Sequence, residues 1–356
     1  MMKNRSMAFC LTIFIIMTSI VLNAQQQARN SKAPVVKIVK KEAENRVDVF
    51  VDQKLFTSYW WPDSVYKPVL YPLVSSQGTT VTRGFPIKPR AGERTDHLHQ
   101  VGNWLNYGNV NGYDFWGNGS EGKRNVNGGQ IKHTGISKIA DGAGEGTLVT
   151  TATWLDPAGK ELLAEKTEFH FIATGSLRII DRVTSLTASG QAVTMKDTKE
   201  GSFGIRVARQ LELPSKEDVT LTDAQGNATT VKQLSNEGVT GNYLSSEGIT
   251  GEAVWGTRAK WMDLYGNIGK EKISLVICDH PANLSYPTYW HARGYGLFSA
   301  NPFGVKDFTA GKEQLNYLIA AGATLKLRYR IIISSGEHLS NSEINTLATD
   351  FANKYK

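Results

Sequence analysis

Short stretches in which β-branched and aromatic residues alternate with polar ones recur along this chain, and a period of two predicts strands. Val47 to Val51, Thr147 to Leu155, Glu161 to Ile172, Leu177 to Leu186, Ile273 to Ile277 and Leu325 to Ile333 all read this way. Most are bounded by Gly, Pro, Asn or Asp, the residues that end strands. The turns Asp156-Pro157-Ala158-Gly159-Lys160 and Ala173-Thr174-Gly175-Ser176 make Thr147 to Leu186 an antiparallel meander. Helical spacing shows only near the C-terminus. There Ser340-Asn341-Ser342-Glu343 has the form of a capping box, and Ile344, Leu347 and Phe351 recur three and four apart. This predicts a short helix over Asn341 to Tyr355. No internal repeat and no Pro- or Ser-rich linker divides the chain. The pattern therefore predicts an all-β domain over 34–356, a large two-sheet antiparallel β-supersandwich with that one helix. Two glycine-rich stretches without alternation, Gly117 to Gly129 and Asn236 to Gly256, are expected to be long loops of the kind that border sites.

The N-terminus changes the picture of where the protein works. Lys3 and Arg5 precede a mostly apolar run, Phe9 to Val21, and Leu22-Asn23-Ala24 ends on a small residue. Residues 1–24 thus read as a secretory signal, followed by a polar tail over 25–33. The apolar run is too short to span a bilayer and no second one follows, so the mature chain is expected to be periplasmic or secreted with no membrane span. Removing Cys10 with the leader leaves Cys278 alone, so stability has to come from a core rather than from an intramolecular disulfide. The formal net charge is +7, and loss of Lys3 and Arg5 lowers it by two. The remaining basic residues are scattered, with no recognisable nucleic-acid module, and a nucleic-acid partner is not expected.

Three clusters carry candidate chemistry. The first is Asp96-His97-Leu98-His99-Gln100, followed by Trp104, Asn111, Asp114 and Trp116 and continued by His133. If the segment is extended, His97 and His99 share one face, giving proton-transfer or metal-ligand groups beside aromatic rings. The second is Lys199-Glu200-Gly201 leading into a strand that ends at Arg206, which offers a carboxylate beside a cation. The third runs from Asp279, His280 and Asn283 through Trp290, His291 and Arg293 to Asn301 and Phe303. So many Asn, Asp, His and Arg side chains among aromatics suit a sugar, whose hydroxyls need polar partners and whose C–H face stacks on rings. His170 and His338 stand alone and read as structural or surface residues.

Asp-His-x-His, Val-Asn-Gly-Tyr-Asp-Phe-Trp, Asp-Thr-Lys-Glu-Gly-x-Phe-Gly-Ile-Arg, Trp-Gly-x-Arg-Ala-x-Trp-Met-Asp and Asp-His-Pro-x-Asn through Tyr-Trp-His-x-Arg to Asn-Pro-Phe-Gly occur here in order. Together they resemble the bacterial "methane oxygenase PmoA" family over nearly the whole mature chain. That family is often encoded near sugar-degrading enzymes. Its common Asp-His-Pro-His-His pattern is altered here, with Leu98 in place of the proline and Gln100 in place of the last histidine. A methane monooxygenase subunit needs several spanning helices, and after its leader this chain has none, so methane oxidation is not expected.

The resemblance implies a galactose-mutarotase-like fold and a carbohydrate ligand or substrate. By likeness to mutarotase-type sites, His97 or His99 would act as acid and Glu200 as base, an imidazole being suited to proton transfer near neutral pH. His133 and His291 would orient the sugar, and Arg206 and Arg293 would stabilise developing negative charge. Trp116 and Trp290 would be stacking platforms. Trp104, Asn111, Asp114, Lys199, Asp279, His280, Asn283, Asn301 and Phe303 would complete the ligand-binding surface. No cofactor is expected. The alternatives are a divalent-metal enzyme with His97 and His99 as ligands, and a glycan-binding protein without catalysis. Lyase, epimerase and hydrolase chemistry all remain open at this stage.

Overall fold

Alternation becomes structure in twenty-one strands among the described residues of the computed structural model. The first six are β1 (Val35–Lys41), β2 (Arg46–Val51), β3 (Lys54–Trp60), β4 (Val69–Leu70), β5 (Asn103–Tyr107) and β6 (Gln130–Ala140). Then come β7 (Gly142–Ala143), β8 (Glu145–Leu155), β9 (Glu161–Thr174), β10 (Leu177–Ala188), β11 (Val193–Met195) and β12 (Gly201–Arg206). After them follow β13 (Val219–Thr222), β14 (Ala228–Val231), β15 (Asn242–Ser245), β16 (Trp261–Ile268) and β17 (Glu271–Asp279). The last are β18 (Tyr289–Arg293), β19 (Leu297–Asn301), β20 (Tyr317–Ile319) and β21 (Thr324–Ser335). The structure describes residues 33–223, 225–231 and 235–356. The expected leader over 1–24 lies outside them, as does all of the expected tail over 25–33 except Ala33.

Two large antiparallel sheets result. One has nine strands in the order β18-β19-β12-β5-β4-β3-β2-β1-β7, the other eight in the order β15-β16-β17-β21-β10-β9-β8-β6. The predicted meander is β8-β9-β10, paired in sequence order. On β9 the alternation is direct: Leu163, Phe169, Phe171 and Ala173 are buried, while Lys166 is exposed and Glu168 and His170 are half-buried. The inward faces of both sheets meet in one core that joins Leu105, Phe203, Ile205, Trp290 and Phe298 to Leu163, Phe169, Leu275 and Ile331. This is the all-β two-sheet sandwich that the pattern predicts.

Helices are few. A single turn, α1 (Val305–Phe308), follows β19, and α2 (Asn341–Lys354) closes the chain. The predicted capping box is formed: Ser340 accepts from the Glu343 backbone N–H, and the Glu343 carboxylate accepts from the Ser340 N–H. Ile344 and Phe351 of α2 pack on Ile179, Trp261, Val276 and Ile332, on the outer face of the eight-stranded sheet. Each such side chain contributes about 1.5–3 kcal/mol on burial. Cys278 is free and buried beneath them. Among the described residues no helix is long and apolar enough to cross a membrane.

Candidate functional site

The site grows out of the period of two in four neighbouring strands. Pairing places Trp104 of β5 opposite Gly204 of β12, Gly204 opposite Ser299 of β19, and Ser299 opposite His291 of β18. Directly paired residues of antiparallel strands share a face, so Trp104 and His291 point to the same side. The next row, Leu105, Phe203, Ala300 and Trp290, points to the other side and into the core. Gly204 is small for a reason: a Cβ there would lie 2.7 Å from Cζ2 of Trp104. The outer face carries its own apolar cluster, Val65, Val69, Val101, Trp104, Trp116 and Leu297.

Loops fold over this floor and bring the first and third clusters together. His97 and His99 lie in a turn rather than a strand, with His97 in the left-handed region at φ +46° and Gln100 N–H closing onto the His97 carbonyl. Their rings are nevertheless 5.7 Å apart. The shared-strand expectation is therefore corrected, while the proximity it was meant to explain is present. Arg83 holds the turn, donating to the carbonyls of Arg94, Asp96, His97 and Gln100 and to the Asp96 carboxylate. Arg206, fully buried, donates to Gln100 Oε1 and Asp96 Oδ1, both at 2.6 Å. Its guanidinium is committed to holding Asp96 and lies over the Tyr295 ring, which corrects its expected role as an oxyanion stabiliser.

Asp96 in turn takes Nδ1 of His97 at 2.9 Å. Burial pushes the Asp96 carboxyl up, but the His97 hydrogen bond with the Arg206 and Arg83 charges outweighs it and holds the group well below the usual carboxylate range. His97 stacks parallel on Tyr295 at 5.1 Å and keeps 38% of its side chain exposed. With Nδ1 engaged, Nε2 is the ring nitrogen left for a ligand.

Glu200 pairs with Lys199 at 3.1 Å, and both are about two-fifths exposed. They belong to the same assembly. The Glu200 charge raises the pKa values of both Asp114 and Tyr295, in each case after the larger effect of burial. His291 hydrogen-bonds the Lys199 backbone, and burial with the Arg293 and Lys199 charges pushes its pKa down to about 3. Asp114 is half-buried, and its Oδ1 accepts from the Gly117 N–H.

Lys67 was not among the residues singled out from sequence. Its side chain is buried, its Nζ donates to the His99 carbonyl at 2.6 Å and lies 5.4 Å from the Trp104 ring centre. Burial pulls its pKa down to about 7, against the charge of Asp114. His99 beside it is pushed down to about 2 by burial first and then by the Lys67 charge. Among the described residues both ring nitrogens of His99, Nδ1 of His291 and Nε1 of Trp104 are buried without a hydrogen-bond partner. Other unmatched buried polar atoms lie elsewhere in the described residues, Asp263, Asn267, His280 and Tyr329 among them, so these nitrogens mark the buried floor of the site rather than single it out. Tyr295 and Arg293 also line an adjoining cavity of about 500 Å³, with Arg94 and Glu252. Arg293 itself lies over the Trp255 ring.

Other expected site residues have different places. Trp290 is fully buried in the core with its indole N–H on the Ala259 carbonyl, so it cannot stack on a ligand. Trp104 and Trp116 are buried too, 5.4 Å apart, and form the floor rather than an open platform. Asp279 accepts from the His280 N–H, Asn283 Nδ2 and the Thr288 N–H, and Asn283 ties that turn to both backbone groups of Arg328. His280 packs on Phe351 of α2, away from the rim. Asn111 pins the loop at Thr194, and Phe303 is a core residue against Tyr107. Asn301 supports the site indirectly, donating to the Thr198 and Lys199 carbonyls just before Glu200. His133 lies apart, stacked on Trp61 at 4.0 Å. Among the described residues no three of His, Cys, Asp and Glu are grouped to hold a metal ion, so a metal at His97 and His99 has no third protein ligand of this kind there.

Residues 46–349 match the model of a family of unknown function, DUF6807, and the chain belongs to that family. No curated protein matches it. Among solved structures it is similar to the GH36 alpha-galactosidase AgaB from Geobacillus stearothermophilus, at 12% identity and a TM-score of 0.37 over 84% of this chain. The galactosidase domain of alpha-galactosidase-sucrose kinase, AgaSK, gives 10% identity and 0.36 over 84%. This chain spans 41% of the length of each of these two. The Slr1438 protein from Synechocystis sp. PCC 6803 gives 10% identity and 0.31, over 85% of this chain and 96% of that one. Likenesses of this size say nothing about activity.

Proposed function

We propose that this is an exported carbohydrate-active protein, related to the "methane oxygenase PmoA" proteins, that works on a sugar or glycoside by acid–base catalysis at the His97–Glu200 rim. The observation that carries the reading is the Asp96–His97 pair. A carboxylate held ionised by two buried arginines fixes the imidazole, and the charge of a second carboxylate, Glu200, acts on Tyr295, the ring on which His97 stacks. His97 gives or takes a proton through Nε2 and Glu200 does the converse, which is the exchange that sugar epimerases, lyases and hydrolases share. Partly exposed Lys199 and half-buried Asp114 supply a donor and an acceptor of the kind that hydroxyl groups require. The half-exposed surface and the adjoining cavity leave room for a ring.

Turnover on a panel of glycosides and free sugars, with and without a chelator, tests this. Activity that survives chelation and falls in both His97→Gln and Glu200→Gln supports acid–base catalysis. Activity lost on chelation and restored by a divalent ion replaces it with a metal-dependent mechanism. Binding without turnover leaves a glycan-binding protein.

A further inference from the structure

His133 lies outside the rim but at a built cavity of its own. About 230 Å³ is lined by Trp61, Tyr66, Asn45, Gln130, Lys67 and His133, with Asp63 and Lys132. The Tyr59 hydroxyl is 3.1 Å from His133 Nδ1. Burial holds the phenol far above its ordinary pKa and therefore protonated, and it donates to or accepts from Nδ1 according to the imidazole tautomer. Burial also pushes His133 down to about 4, so the ring is neutral near pH 7 and offers one N–H and one acceptor nitrogen. A neutral imidazole, two side-chain amides and two aromatic rings match a polyhydroxylated ring, which needs both donors and acceptors beside a flat apolar face.

This cavity adjoins the rim. Lys67 lines it, and the amine of the same residue bonds the His99 carbonyl beneath the rim. The glycine-rich loop that follows Trp116 stands against it as well: a Cβ on Gly119 would lie 2.9 Å from Cδ2 of Tyr66. One lysine side chain thus separates the two places.

We infer that the Trp61–His133 cavity is a second sugar subsite, and that the ligand of the rim is therefore an oligosaccharide or a glycoside of two or more rings rather than a free monosaccharide. This rests on the carbohydrate reading of the rim. A glycan array that displays monosaccharides beside their di-, tri- and tetrasaccharides tests it, read with the full chain, Trp61→Ala and His133→Gln. The expected result is at least tenfold tighter binding of an oligomer than of its own monosaccharide, with the gain lost in both variants while their melting curves stay cooperative. His133→Gln guards against a folding defect in Trp61→Ala. Monosaccharides bound as tightly as their oligomers, or a gain kept in both variants, overturns the second subsite and leaves the rim standing. No binding anywhere on the array overturns both.

Discussion

Two turns on this sandwich look alike in sequence and do opposite things. Asp96 to Gln100 and Asp279 to Asn283 each put an aspartate before a histidine in a polar run near aromatics. At the first, two arginines and His97 keep the aspartate charged, and the imidazole it orients reaches the surface. At the second, burial pushes Asp279 up to about 7, and its partners are backbone N–H groups and the amide of Asn283. The difference lies in what the carboxylate faces. An ion pair with a partly exposed histidine makes chemistry available, whereas neutral donors that use up an aspartate make a rigid corner between β17 and β21.

The largest effects should come from the rim. His97→Gln and Glu200→Gln should each lower turnover on the order of 10²–10⁴-fold while melting temperature changes little, as measured by steady-state kinetics and calorimetry. Trp290→Ala should do the reverse. It empties a core position at about 3–5 kcal/mol, read from denaturant unfolding, and touches no ligand directly.

Asp96→Asn should come next. Breaking a buried ion pair costs about 3–5 kcal/mol, but Asp96 is one-third exposed, so about 2 kcal/mol is expected, with turnover falling because His97 loses its anchor. The carboxyl is depressed in the fold, so this contribution is present above the unfolded value near 4 and is lost only as pH falls further through the folded value.

The dependences on pH run in opposite directions. Asp279 is raised in the fold, so the native state keeps a proton that the unfolded chain releases, and stability should fall as pH rises from about 4 to about 7. Lys67 is lowered in the fold, so the unfolded chain keeps the extra proton, and stability should rise as pH climbs from about 7 towards 10. Asp279→Asn should flatten the first slope and Lys67→Met the second, each measured by urea midpoints across pH.

Much of the fold is legible in the residues, because alternation and capping are local signals. The meander, the outer strands of the core and the box at Ser340 and Glu343 all follow from spacing alone. The same rule of two, carried through Tyr289-Trp290-His291-Ala292-Arg293, separates Trp290 from His291, since neighbours on a strand take opposite faces. Treating the run as one cluster obscured that signal. Lys67 and Arg83 were harder to see because their importance lies in what loops lay over them. A lysine between Val65 and Val69 is the one hint the chain offers. Which polar atoms stay unmatched, as at His99 and Trp104, depends on contacts far apart in sequence and has no local signature.

The most direct test is a crystal structure with the tightest-binding sugar from the array. A ring should lie at the rim, with a hydroxyl or glycosidic oxygen within hydrogen-bond reach of His97 Nε2 and another within reach of the Glu200 carboxylate. A sugar seated elsewhere, with His97 and Glu200 both untouched, would contradict it.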